Sequence, residues 1–111
     1  MLFKKDTFTK NVDLLMDYLT RAESLMEKAN NGNSQALNEI NKNLEQAPKL
    51  LELLYHDIKT QKNSSTMPTH QTAWDNLTLQ TRTGQYDNLF IRYKDIQQQL
   101  EDLRSQPKFT F

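Results

Sequence analysis

The chain reads as all-α, an antiparallel bundle of three long helices, and three observations predict it. Apolar side chains recur in alternating steps of three and four along three stretches: Phe8 to Ala29, Leu37 to Ile58 and Tyr86 to Leu103. Such steps average 3.5 residues, the coiled-coil period, and gather each set on one side of a helix. The connection Asn30-Asn31-Gly32-Asn33 is too short for anything but an antiparallel hairpin. The hydrophobic fraction is only 36%, yet the apolar residues are concentrated on those seams, where they can still form a core.

The first helix is expected to begin at Asp6 or Thr7, either of which can accept hydrogen bonds from the free amides of the first turn. Its seam is Phe8, Val12, Leu15, Leu19, Ala22, Met26 and Ala29, and Asn30 is its last residue. Gly32 supplies the left-handed stop. Ser34 is placed to cap the second helix, whose seam of Leu37, Ile40, Leu44, Ala47, Leu51, Leu54 and Ile58 carries it to about Lys62. Pro48 removes a backbone donor in mid-helix and crowds the Leu44 carbonyl. The seam keeps register across it, so the expectation is one kinked, continuous helix.

A linker follows over 63–69, and helix resumes near Thr69 to Thr72, where Thr72 and Asp75 suit a capping box. Thr81, Thr83 and Gly84 are poor helix formers, so the third helix is expected to be disturbed there, or split near Gly84 to give four helices. The seam Tyr86, Leu89, Tyr93, Ile96, Leu100, Leu103 then runs until Pro107 forbids continuation. Residues 1–105 are accordingly read as a single helical-bundle domain, and 106–111 as a short C-terminal tail. The seams alone bury little against the entropy of ordering the chain, so a second row is expected inside: Leu14, Tyr18, Leu25, Leu50, Leu53 and Phe90. Dimerisation through that row would serve as well.

Composition argues against most chemistry. Fourteen basic residues balance fourteen acidic ones, and the balance holds in each third of the chain, so no segment offers the basic face that nucleic acid requires. Cysteine is absent, which removes disulfides, thiolate nucleophiles and cysteine metal sites. No run of about 20 apolar residues could span a membrane. The sequence opens without a secretory apolar run, and a cytoplasmic protein is expected. His56 lies one helical turn after Glu52, half of a metal site with no second half, and His70 has no partner nearby in sequence. The carboxylates Asp13 with Asp17, Glu23 with Glu27, and Asp95 near Glu101 and Asp102 read as solvated faces with basic neighbours such as Arg21. A phosphate-binding glycine loop cannot be built, and no serine sits in a nucleophile elbow. No enzymatic activity, metal or cofactor is expected.

Binding surface is the remaining opportunity. The run Trp74, Leu77, Leu79, Tyr86, Phe90, Tyr93 is rich in aromatics, which bury large area with few rotatable bonds, though most of it suits the core. Trp74 stands where the seam is weak. The tail Gln106-Pro107-Lys108-Phe109-Thr110-Phe111 could fold back, or add a strand to a partner's sheet edge. Gln97-Gln98-Gln99 and the methionines Met16, Met26 and Met67 are weaker signals. The candidate protein-binding residues are therefore Trp74, Leu79, Phe90, Phe109 and Phe111.

The leucine-rich hairpin from Tyr18 to Leu54, turning at Asn31-Gly32-Asn33, resembles those of bacterial secretion or flagellar export chaperones. That resemblance implies a helical chaperone or adaptor that holds or masks a segment of a partner protein. Two other readings stay open: an inhibitor or immunity protein of a phage or mobile element that occludes an enzyme, and a structural subunit of a larger assembly.

Overall fold

The computed structural model describes residues 6–64 and 73–106, with side chains over 6–61 and 77–106. The elements are α1 (Thr7–Asn30), α2 (Ser34–Glu45), α3 (Ala47–Ser64) and α4 (Ala73–Arg104). They pack together as an all-α bundle of three rods, the middle one bent, with α2 and α3 joined end to end.

Asp6 caps α1: its carboxylate accepts a hydrogen bond from the Thr9 amide at 2.7 Å. The hairpin is closed by backbone bonds from Gly32 to the Ala29 carbonyl and from Asn33 to the Lys28 carbonyl, at 2.9 and 3.1 Å. That pattern requires a left-handed residue between them, and Gly32 supplies it with φ +99°. Asn33, not Ser34, caps α2. Its side-chain oxygen accepts from the Ala36 amide at 3.1 Å, because Asn33 still has extended backbone whereas Ser34 is already helical.

The middle rod bends at Gln46, in the turn before Pro48. Gln46 keeps right-handed helical backbone (φ −80°, ψ −19°), but its amide reaches back only three residues, to Asn43. The ladder is thereby interrupted, and Pro48 falls in the first turn of α3, where a missing donor costs nothing. The expected disturbance near Gly84 is absent: α4 is one continuous helix of 32 residues. A glycine inside a helix lowers its stability without breaking it when the flanking turns are packed.

The core is the three seams. Phe8, Val12, Leu15, Leu19, Ala22 and Ala29 of α1 meet Ile40, Leu44, Ala47, Leu51 and Leu54 of the bent rod and Leu89, Tyr93, Ile96, Leu100 and Leu103 of α4. Met26, Leu37, Ile58 and Tyr86, also on the seams, are partly buried at its margins, while Ala36 and Leu50 join it from beside them. The second row is not buried as a row. Only Leu50 is inside, Tyr18 and Leu25 are half-buried, and Leu14, Leu53 and Phe90 lie open. Three rods give each helix two neighbours, which cover a single stripe; a side chain about 100° from its centre reaches the rim of the bundle.

Candidate functional site on the α3–α4 flank

Two flanks of α4 differ in kind. Toward α1 it is tied by guanidinium groups. Arg92 bonds Glu23, with its Nε at 3.0 Å, and donates to the Thr20 hydroxyl at 2.9 Å. Arg82 pairs with Asp6, donates to the Gln61 side-chain oxygen at 2.9 Å and lies 5.0 Å over the Phe8 ring. At the far end Arg104 bonds Asn41 of α2. The Thr9 amide bond first, and Arg82 after it, hold the Asp6 carboxyl below the usual carboxylate range.

Toward α3 the surface is aromatic and open. Leu54 is fully buried at the seam, so Tyr55, a hundred degrees further round, emerges at the edge of α3 and is 54% exposed. Across from it α4 presents Tyr86 and then Phe90 one turn on. Tyr55 and Tyr86 have ring centroids 5.9 Å apart with planes at 49°, and Tyr86 stacks on Phe90 at 6.0 Å and 23°. Lys94 closes this ladder with its ammonium 5.6 Å over the Phe90 ring. Burial, then Tyr55 and Asp87 nearby, raises the Tyr86 pKa above its ordinary value, so its hydroxyl keeps its proton well into alkaline solution.

Beside the ladder lies an open groove of about 730 Å³, lined from α3 by Tyr55, Ile58 and Lys59 and from α4 by Leu79, Thr83 and Asp87. Gly84 also faces it, and a Cβ built there would meet nothing within 4 Å. The groove offers apolar contact, a hydroxyl donor and one charge of each sign. Among the described residues no group of three potential ligands could hold a metal ion. No described helix is long and apolar enough to cross a membrane.

Of the five candidate protein-binding residues, this flank takes two. Leu79 lines the groove half-buried, and Phe90 stands 38% exposed at the end of the ladder. Trp74 belongs to the first turn of α4, but its side chain lies outside the described residues, as do Phe109 and Phe111. His70, Met67 and the Thr72–Asp75 box also fall outside them. Tyr93 is buried as a seam residue. His56 is exposed beside Glu52, on a smaller groove behind Tyr55. Three of the carboxylates are tied within their own helix: Asp17 to Arg21 at 2.8 Å, Asp95 to Gln99 at 2.9 Å, and Asp102 to Gln98 at 3.1 Å. The glutamine run is thus engaged along its own helix.

Sequence reasoning missed Tyr55 and Ile91. Both carried a legible signal, since each is a large apolar residue off its helix's seam. Ile91, at 66% exposure, is the most open large hydrophobic among the described residues. Comparison with known protein families, with characterised proteins and with solved structures finds no match.

Proposed function

We propose that this is a small non-enzymatic protein-binding protein that holds an amphipathic helical segment of a partner in the groove between α3 and α4. The observation that carries this reading is the exposed aromatic ladder of Tyr55, Tyr86 and Phe90 alongside an open groove. Large rings left in water on a bundle that has buried its seams are suited to intermolecular contact. From Leu79 to Phe90 the α4 wall spans about 16 Å, three turns of helix, which matches a ligand presenting apolar residues at i, i+3/4 and i+7. Lys59 and Asp87 on opposite walls would fix its direction through its own charges. The local charge balance and the tied carboxylates favour recognition of protein over nucleic acid or catalysis.

Photo-crosslinking tests it. Benzoylphenylalanine at Tyr55 or Thr83, in cells of the native host, is expected to give a discrete adduct that Tyr86→Glu abolishes. The same probe at the exposed Lys10 on α1 serves as the control. Adducts forming only at Lys10, or equally at all three positions, would overturn the groove reading; the former pattern is the one an occluding inhibitor using its polar surface would give.

A further inference from the structure

Phe90 and Ile91 sit at the middle of an outward stripe on α4, and the residues on either side of them are complementary in charge. Asp87 lies three residues before Phe90, Lys94 three after Ile91, and all four side chains are exposed. We infer that α4 pairs with α4 of a second copy, antiparallel, about a twofold axis between Phe90 and Ile91.

The register follows from arithmetic on the helix. In an antiparallel pair centred between those residues, Phe90 faces Ile91 of the other copy, and Asp87 faces its Lys94 twice over, by symmetry. One turn further out Thr83 faces Gln98, both exposed and uncharged. No like charges meet along this stripe. Shifting the axis one turn either way destroys the match: centred on Asp87 it places carboxylate against carboxylate, and centred on Lys94 it places ammonium against ammonium. Asp87 has no ion-pair partner among the described residues, and Lys94 has only aromatic rings and a 3.5 Å contact to Gln97, so both are available. The bare Cα of Gly84 lets the helices approach closely on that side. The pairing covers Ile91, 66% exposed among the described residues, together with Phe90. It also competes for Phe90 and Asp87 with a partner helix in the groove, so a client would release the second copy.

Sedimentation equilibrium of the full chain across micromolar to millimolar concentration tests it. The expected result is a reversible monomer–dimer equilibrium, weakened about tenfold at low salt by Asp87→Lys alone or Lys94→Glu alone, since each puts like charges opposite one another. Combining the two exchanges the charges and is expected to restore the dimer. Because the chain has no native cysteine, Ile91→Cys is expected to cross-link to itself on oxidation, whereas Thr83→Cys, far from the axis, is not. A monomer at every concentration, single charge reversals without effect, a double exchange that fails to restore pairing, or Thr83→Cys cross-linking as readily as Ile91→Cys would each overturn the inference. A monomeric protein that still gives groove adducts would sink the pairing and leave the proposed function standing.

Discussion

The two flanks of α4 are made by one helix and face the same core, yet they are finished differently. Against α1, Arg82 and Arg92 reach across the seam and bind carboxylates and a hydroxyl, with the Phe8 ring beneath one guanidinium. Against α3, the corresponding rim carries Tyr55, Tyr86 and Phe90 in ring-to-ring contact, with Tyr86 half-buried and the other two open to water. Long cationic side chains lay their stems along apolar surface and satisfy their heads at its edge, so the first flank is covered where Arg82 and Arg92 lie. Aromatic rims have no such ending. That difference is the ground on which a partner is proposed for the α3 side.

The comparison can be broken from the inside outward. Substitutions under the two flanks should be equally costly if the difference lies only at the rim. Leu19→Ala on α1 and Leu54→Ala on α3, both fully buried, are each expected to cost about 3 kcal/mol by denaturant unfolding. A loss below about 1 kcal/mol at either would mean that side is not core.

At the rim the flanks should diverge. Arg82→Ala is expected to lose about 1 kcal/mol, partly through lost packing over Phe8, and the loss should shrink in high salt. Phe90→Ser, measured below the concentration at which copies pair, should cost less than a buried aromatic would while weakening binding at the groove. Equal stability losses at the two rims would remove the distinction. Asp6 adds a pH signature to the α1 flank. Its folded pKa is depressed, so its contribution is present above the ordinary carboxylate pKa and is lost as pH falls through the folded value. Asp6→Ala should accordingly flatten the acid limb of the stability profile, with a loss at neutral pH of about 1 kcal/mol from the missing cap.

Two smaller effects sharpen the picture of the open flank. Gly84→Ala adds a methyl where nothing stands within 4 Å and is expected to raise stability by about 0.5–1 kcal/mol, whereas Gly32→Ala, at φ +99°, should lower it by about 1 kcal/mol. On the same flank Tyr86 should ionise above the ordinary tyrosine pKa in an ultraviolet titration, its folded pKa being raised. The corresponding stability term is complete below the ordinary tyrosine pKa and lost as pH climbs through the folded one. Tyr55→Phe, which removes one of its neighbours' charges, should bring that ionisation to lower pH; no change would mean the two rings are not in contact in solution.

How much of this was legible beforehand depended on whether a residue's role was set by its own helix or by a neighbour. The three seams, the Asp6 cap and the Gly32 stop follow from spacing and backbone chemistry within a few residues, and the structure places them as the sequence predicts. Leu79 and Phe90 were also named from the aromatic-rich run, and both lie on this flank. The exposure of Leu14, Leu53 and Phe90 was not legible, since it depends on how many rods surround each helix. Nor was the continuity of α4 through Gly84, which packing of its flanking turns decides. The cross-rod contacts, Arg82 to Asp6 and Tyr55 to Tyr86, join residues 76 and 31 apart in sequence, and no periodicity encodes which rim faces which. Period and caps belong to single helices and are written in them; the flank left open is a property of three helices meeting, and only their packing could choose it.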